Sequence, residues 1–184
     1  ELFNSAILLA DEPMPRGDRL AIVTNAGGPG VMATDAAVHA GLQIARFNGD
    51  TTQRLKAALP ATANIQNPVD VIGDARADRY QAALDVVLAD DNVDQALVIL
   101  TPQSMTDIED IARTVCRVAD STDKPLTCSF MGACDVADGI ALLHARHIPH
   151  YILPEWACRA MADVQRVCRW RQSELETVQL PQAA

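Results

Sequence analysis

Short apolar stretches alternate with longer amphipathic stretches along most of this chain. The short ones predict β-strands, and the longer ones, with apolar residues at helical spacing, predict α-helices. Strands are predicted near residues 19–24, 42–46, 94–100, 126–130 and 148–152. Helices are predicted near residues 1–11, 30–40, 50–59, 77–89, 107–119, 136–146 and 154–174. Asp50 or Thr51 is the predicted N-cap of the third helix, and residues 61–73 are predicted to form a loop.

The alternation of strands and helices predicts an α/β fold with a parallel sheet covered by helices on both faces. The first strand, residues 20–23, is apolar without alternation, as expected for a strand that is buried on both sides. We therefore expect a flavodoxin-like, doubly wound parallel sheet of five strands in the order 2-1-3-4-5. In such sheets ligands bind at the carboxyl ends of the strands where the winding reverses, here between the first and third strands.

A glycine-rich turn, Asn25-Ala-Gly-Gly-Pro-Gly30, leads from the first strand into the next helix. Glycines let an anion approach closely, and the amides of a helix N-terminus attract negative charge. The turn predicts a phosphate-binding site formed by Asn25, Gly27, Gly28, Gly30 and Val31, with the amides of Gly30, Val31 and Met32 free. Valine at Gly28 or Gly30 is expected to block this site and leave folding nearly intact. Glycines needed only for turn geometry are the alternative, and the spacing matches neither G-x-G-x-x-G nor a P-loop.

Two further polar turns follow predicted strands or loops, Asn67-Pro-Val-Asp70 and Thr101-Pro-Gln-Ser104. Their side chains predict a possible pocket formed by Asn67, Asp70, Thr101 and Gln103, and an ordinary turn is the alternative for each. No catalytic residue is predicted, because no partner constellation accompanies His39, His144, His147 or His150. No metal site is predicted, because the five cysteines lack metal-ligand spacing.

Composition narrows the class of protein. A chain of 184 residues that is 49% hydrophobic fits one compact domain. The net charge of -9 argues against nucleic acid or an anionic membrane surface as a partner. There is no long apolar run, no signal-peptide pattern and no C-x-x-C pair, so a cytoplasmic protein with reduced thiols is expected.

Several motifs in order along the chain resemble the NDP-forming (ADP-forming) acyl-CoA synthetase family, which is related to succinyl-CoA synthetase. They are the strand and turn at 19–30 with Asp35 after it, Leu59-Pro60, Asn67-Pro-Val-Asp70, the strand and turn at 94–102, Ile148-Pro149 and Pro154-Glu-Trp-Ala157. Together they cover most of the chain. The resemblance implies a succinyl-CoA synthetase-like, flavodoxin-like ligase module of a larger enzyme.

The resemblance also implies a reaction in which acyl-CoA, ADP and phosphate give an acid, CoA and ATP through an acyl phosphate and then a phosphohistidine. The family's Ser-His-Thr-Gly type of loop does not occur in this chain, so the phosphorylated histidine is expected in another domain. The glycine turn would face that histidine. CoA, ADP or ATP, and Mg²⁺ are expected to bind through CoA-binding, histidine-loop and ATP-grasp domains in the same chain or a partner subunit, with no cofactor bound tightly here.

The resemblance suggests a division of the chain and leaves two other functions open. Residues 1–18 are expected to be a linker helix from a preceding domain, 19–174 the ligase domain and 175–184 a flexible tail, as in an excised fragment. One alternative is a non-catalytic, ligand-sensing module of a GNAT-type protein lysine acetyltransferase. The other is a free-standing flavodoxin-like binding protein, although two Trp and two Tyr argue against flavin. The aliphatic faces of the first and last helices could support a homodimer.

Overall fold

The short apolar stretches form a parallel β-sheet in the computed structural model, which describes residues 2–132 and 134–177. The strands are β1 Arg19–Thr24, β2 Gln43–Ile44, β3 Val69–Asp70, β4 Gln95–Leu100 and β5 Leu126–Phe130. Their order is β2-β1-β4-β5, and β3 also pairs with β1. All of these pairings are parallel. The strands β1, β3, β4 and β5 end together at the carboxyl edge of the sheet, whereas β2 pairs with the first residues of β1.

Helices cover both faces of this sheet. They are α1 Leu2–Asp11, α2 Gly27–Ala40, α3 Gly49–Ala58, α4 Ala77–Leu88, α5 Ile108–Ala119, α6 Ala137–Ala145 and α7 Pro154–Thr177. The first, second and last pack around Ile22, Leu97 and Ile99, and the other four pack around Val23 and Val98. Alternate side chains of β1 and β4 thus enter two different cores, which explains why these strands are apolar throughout.

The structure confirms the predicted α/β, flavodoxin-like class, but the outer strands differ from the prediction. The predicted last strand, 148–152, contributes a single parallel bridge between Cys128 and His150. Pro149 has no N–H to donate, so only its carbonyl joins the ladder, by accepting from the Cys128 N–H at 2.9 Å. The prediction of a loop at 61–73 is wrong for Val69 and Asp70, which form β3 and pair with Val23 and Thr24.

One long edge of β1 is shared by two short strands. The β2 strand pairs with Arg19 and Leu20, and β3 pairs with the other end of β1. The side chain of Asn67 fills the gap between them. Its Oδ1 accepts from the Ile22 N–H at 2.9 Å, and its Nδ2 donates to the carbonyls of Leu20 at 2.8 Å and Ala45 at 3.0 Å. A side-chain amide therefore replaces backbone pairing that neither strand supplies.

The N-cap of α3 also differs from the prediction. Asn48 precedes the helix, and its Oδ1 accepts from the Thr51 N–H at 2.8 Å. Asp50 and Thr51 therefore lie inside the first turn. Asn48 is itself anchored, since its N–H donates to Asp90 Oδ2 at 2.9 Å.

The first and last helices lie against each other on one face of the sheet. Leu8 is only 2% exposed, and Tyr151 donates its hydroxyl to the Asn4 carbonyl at 2.6 Å. The last helix continues through Thr177, past the start of the predicted tail at 175–184, and residues 178–184 lie outside the described part of the chain. Among the described helices, none is both long and apolar enough to cross a membrane.

Candidate functional site

The glycine-rich turn lies where β1 ends, at the carboxyl edge of the sheet. Its helix, α2, begins at Gly27, three residues earlier than predicted. The Ala26 N–H donates to Thr24 Oγ1 at 3.0 Å, and the Gly30 N–H donates to the Ala26 carbonyl at 3.3 Å. The prediction of free amides at Gly30, Val31 and Met32 is therefore wrong, because the Gly30 amide donates the first intrahelical hydrogen bond and the other two amides follow it in the helix. The amides of Gly27 and Gly28 precede that bond and lack a helical partner.

The glycines of the turn have two different roles. Gly27 and Gly28 are exposed, and a Cβ added at Gly28 would have no described atom within 4 Å. Gly30 is buried, and a Cβ there would lie 3.1 Å from Thr24 Cγ2 and 3.4 Å from Pro68 Cβ. Valine at Gly30 would thus disturb packing, which contradicts the expectation that it leaves folding intact. A side chain at Gly28 would therefore occupy the site without disturbing the packing of the fold.

Asn25 connects the end of β1 to the end of β4. Its side chain is 3% exposed, and its Nδ2 donates to the Thr101 carbonyl at 2.8 Å. Its Oδ1 accepts from the Thr101 N–H at 2.8 Å and from the Thr101 hydroxyl at 3.1 Å. We call this pair the Asn25–Thr101 clamp. These hydrogen bonds occupy the Asn25 side-chain atoms that are predicted to contact phosphate. They also occupy the Thr101 hydroxyl that is predicted to line a pocket.

Asp70 lies beside the glycine turn, and Gln103 lies beside the loop that follows β3; the pocket that they are predicted to line stays a prediction. Asp70 Oδ1 accepts from the Ile72 N–H at 2.9 Å, and Asp70 Oδ2 lies 3.5 Å from the position of a Cβ added at Gly27. A Cβ added at Gly73 would lie 3.8 Å from Gln103 Cγ and 3.9 Å from the carbonyl oxygen of Asn25. The loop after β3 therefore approaches both the turn and the chain after β4.

Asn67, the fourth residue of the predicted pocket, does not join this group. Both of its amide hydrogens and its oxygen bind backbone atoms of β1 and of residue 45. These hydrogen bonds hold the Asn67 side chain between β2 and β3, where they pair backbone groups that neither strand reaches. The prediction of a pocket role for the Asn67 side chain is corrected accordingly.

Two residues near the site were missed by sequence reasoning. Tyr80 of α4 is fully buried, and its hydroxyl donates to the Ile99 carbonyl at 2.9 Å, just before the clamp. Burial raises the pKa of Tyr80 well above its ordinary value, and the charge of Asp70 adds to the effect. An aromatic residue on an apolar helix face looks like ordinary core. Thr24, whose hydroxyl fixes the start of α2, looks like the last residue of a strand.

The four histidines contact other parts of the chain. His39 Nδ1 lies 2.8 Å from the Asp35 carbonyl of its own helix, and His147 Nδ1 lies 3.4 Å from Asp11 Oδ1. The rings of His144 and His150 contact each other, with centroids 6.1 Å apart. Burial lowers the pKa of His150. These contacts provide no partner for acid or base chemistry at the glycine turn.

An open groove adjoins the site along the same sheet edge. Its volume is about 710 Å³, and the loops after β4 and β5 and the starts of α4 and α5 line it. The lining carries one arginine, Arg76, and six acidic residues, which are Asp78, Asp107, Glu109, Asp110, Asp135 and Asp138. Among the residues whose side chains the structure describes, 2–132 and 134–173, no group of three or more His, Cys, Asp or Glu is arranged to hold a metal ion.

Comparison with known proteins identifies the family. Residues 20–174 match the model of the Ligase-CoA domain. The chain is 40% identical over 166 residues to acetate-CoA ligase (ADP-forming) I of Archaeoglobus fulgidus, which covers 90% of this chain and 23% of that protein. It is 32% identical over 181 residues to the alpha subunit of acetate-CoA ligase (ADP-forming) I of Pyrococcus furiosus, covering 96% of this chain and 38% of the subunit.

A solved structure shows the same fold. The apo form of the dinucleotide forming acetyl-coenzyme A synthetase 1 of Ca. Korarchaeum cryptofilum superposes with a TM-score of 0.89 at 27% identity, over 97% of this chain and 39% of that chain. The same enzyme in complex with phosphate and ADP gives a TM-score of 0.88.

The chain spans about a quarter to two-fifths of the length of these relatives. Their shared chemistry is CoA ligation, which does not favour the acetyltransferase-linked or free-standing alternatives. The matched family model extends from the first residues of β1 into α7 and includes the glycine turn, the clamp and the loop after β3. This chain therefore belongs to the Ligase-CoA domain family and is homologous to ADP-forming acetate-CoA ligases.

Proposed function

We propose that this chain is the ligase domain of an ADP-forming acyl-CoA synthetase, and that its Gly27 and Gly28 amides stabilise a phosphohistidine carried by another domain. The complete enzyme would convert acyl-CoA, ADP and phosphate to an acid, CoA and ATP. The observation that carries this proposal is the pair of exposed amides at the start of α2, in a chain homologous to ADP-forming CoA ligases.

The physical basis is the charge of the phosphoryl group. A phosphoryl group on imidazole carries about two negative charges near neutral pH. The start of a helix offers a partial positive charge and N–H donors that need no reorganisation to meet an anion. Neither Gly27 nor Gly28 carries a side chain that would keep the phosphoryl oxygens away. The same two amides would therefore lower the energy of both the phosphohistidine and the transition state for its transfer.

Asp70 adds a complementary group to this site. Its Oδ1 is held by the Ile72 N–H, whereas its Oδ2 faces the region of Gly27. A carboxylate repels phosphoryl oxygens, but it accepts well from the N–H of an imidazole ring. We propose that Asp70 Oδ2 orients the histidine through its unphosphorylated nitrogen.

The remaining functions are proposed for other domains. CoA, the nucleotide and Mg²⁺ would bind to CoA-binding, histidine-loop and ATP-grasp domains in the same chain or a partner subunit. The solved relative in complex with phosphate and ADP supports the use of these two ligands. A cytoplasmic location remains part of the same proposal.

The test is a valine substitution at Gly28 in the complete synthetase. We expect Gly28→Val to leave folding intact, because the position is open, and to slow phosphoryl transfer by about a hundredfold or more. The rate of phosphoenzyme formation and decay is measured by rapid quench with labelled ATP.

Gly49→Val is the matched control for this substitution. Gly49 is the first residue of α3, is exposed, and has no described atom within 4 Å of an added Cβ. Its helix starts beside Asp90 and away from the glycine turn. Equal transfer rates in Gly28→Val and Gly49→Val would overturn the proposed function.

A further inference from the structure

We propose that Asn25 is a positioning residue for phosphoryl transfer, which acts through Thr101 and aims the Gly27 and Gly28 amides without contacting the phosphoryl group itself. This inference rests on the proposed function. It assigns to the clamp the task of fixing the direction in which the first turn of α2 leaves the sheet.

The register of the sheet shows what the clamp replaces. Backbone pairing between β1 and β4 reaches Thr24 and Ile99 and stops there, because the chain then turns into α2. Thr101, two residues past Ile99, has both an N–H and a carbonyl that need partners. The Asn25 side chain binds both groups at 2.8 Å. The contact between the two strands is thus extended beyond the last backbone pair by a side chain.

Asparagine suits this position because of its size and its two kinds of polar atom. Its amide offers a donor and an acceptor side by side, so it can bind the N–H and the carbonyl of one residue at once. Aspartate lacks the donor, and alanine would remove the partner of both backbone groups of Thr101. The hydroxyl of Thr101 adds a third hydrogen bond to the same oxygen at 3.1 Å.

The clamp is close to the amides that it would aim. Asn25 precedes Gly27 by two residues, and only Ala26, which is held by the Thr24 hydroxyl, stands between them. On the far side, Tyr80 of α4 donates its buried hydroxyl to the Ile99 carbonyl. The base of the turn is therefore fixed from β4 and from α4. The glycines themselves have no side chains that could fix their direction.

Asn67 provides a matched control, because its side chain also binds β1. It also makes three hydrogen bonds, all to backbone atoms, and two of them go to Ile22 and Leu20 of β1. It acts on the side of β1 that faces the short strands and has no bond to the turn. A role that is only structural predicts similar consequences for the loss of either asparagine, whereas the positioning role predicts a difference in catalysis.

The experiment compares Asn25→Ala, Asn67→Ala and Gly28→Val in the complete synthetase, each at a temperature where circular dichroism shows it to be folded. For Asn25→Ala we expect the single-turnover rate of phosphoryl transfer to fall by about tenfold or more, while the KM for nucleotide changes by less than about twofold. For Asn67→Ala we expect a lower melting temperature but a transfer rate within about twofold of the original enzyme.

A second pair of variants covers the case in which Asn25→Ala does not fold. Thr101→Val removes only the hydroxyl bond and is expected to lower the transfer rate by a smaller factor, whereas Thr101→Ser keeps the hydroxyl and is expected to restore the rate. Unchanged transfer in Thr101→Val, and in Asn25→Ala where that variant folds, would overturn the positioning role. Equal losses in Asn25→Ala and Asn67→Ala would overturn it as well. Full activity of Gly28→Val would instead overturn the proposed function, and the inference with it.

Discussion

The Glu12 carboxyl shows how burial at one residue makes the stability of the fold depend on pH. Its Oε2 accepts from the Leu126 N–H at 3.0 Å, at the start of β5. Burial raises its pKa from the ordinary 4.5 to about 7; the Leu126 N–H opposes this shift and the charge of Asp11 adds to it. Because the folded state favours the protonated form, the contribution to stability is complete below about pH 4.5 and is lost as the pH rises to about 7.

Glu12→Gln should remove this dependence. Glutamine cannot ionise, and its Oε1 can still accept from the Leu126 N–H. We expect the free energy of unfolding of the variant, relative to the original chain, to rise by roughly 2 kcal/mol between about pH 5 and about pH 8. Urea unfolding at the two pH values measures it. Asp85→Asn, at an exposed carboxylate of α4, is the control. A difference that is the same at both pH values would contradict the prediction.

At the level of residues, the site could be predicted only in outline. The turn and its place at the sheet edge follow from the order of strand, glycines and helix. The separation of Gly28 from Gly30 does not, because it depends on the Thr24 hydroxyl and on the packing of Pro68. Asn25 is a predicted site residue, but its contact with Thr101 could not be predicted, because it joins residues 76 positions apart.

Among the elements, β5 carries polar groups that the core does not satisfy. Thr127 and Ser129 are fully buried, and their hydroxyls have no hydrogen-bond partner within the described residues. Both lie on the face of β5 opposite Cys128 and Phe130, because side chains alternate along a strand. A buried hydroxyl without a partner costs free energy on folding. This strand is therefore less stable than its position in the sheet would allow.

Thr127→Val is expected to stabilise the protein. Valine keeps the branched shape and removes the buried hydroxyl, so the free energy of unfolding should rise by about 1 kcal/mol. Thr114→Val on α5 is the matched control, because Thr114 is equally buried but its hydroxyl accepts from Arg117 at 2.7 Å. Chemical denaturation of both variants measures the effect. Equal losses of stability in the two variants would show that the Thr127 hydroxyl is satisfied.

The longer elements could be predicted closely from the sequence, whereas of the two shortest strands β2 is predicted three residues too long, at 42–46, and β3 is not predicted. The predicted bounds of β1, β4 and β5 agree with the structure to within one residue, because polar turns bound all three strands. The interiors of β1 and β4 are continuous apolar runs, whereas β5 alternates apolar residues with Thr127 and Ser129. By contrast, β2 and β3 have two residues each and show no period. The contact of Asn67 with β1 also has no local signal in the sequence, because its hydrogen bonds to β1 cross 45 and 47 residues.

For the whole molecule, the packing of α1 against α2 and α7 indicates that α1 folds together with the rest of the chain. It was predicted to be a linker from a preceding domain, yet Leu8 lies in the core formed with α2 and α7. We expect Leu8→Ala to lower the free energy of unfolding of the entire chain by about 2 to 4 kcal/mol, because it leaves a cavity in that core. Thermal unfolding followed by circular dichroism measures this. Leu2→Ala, at a leucine that is 79% exposed, is the control and should change little. Equal stability of the two variants would favour an independent linker.

The division of the β1 edge between two short strands also affects how molecules meet one another. A sheet edge with a long run of free backbone groups can capture an extended segment of another chain. Here the outer strands are two residues long, and the interval between them is occupied by the Asn67 amide. At the opposite edge, the β5 backbone already exchanges hydrogen bonds with Pro149 and Tyr151. Neither margin offers a foreign strand a continuous ladder, so the sheet is protected against edge-to-edge aggregation.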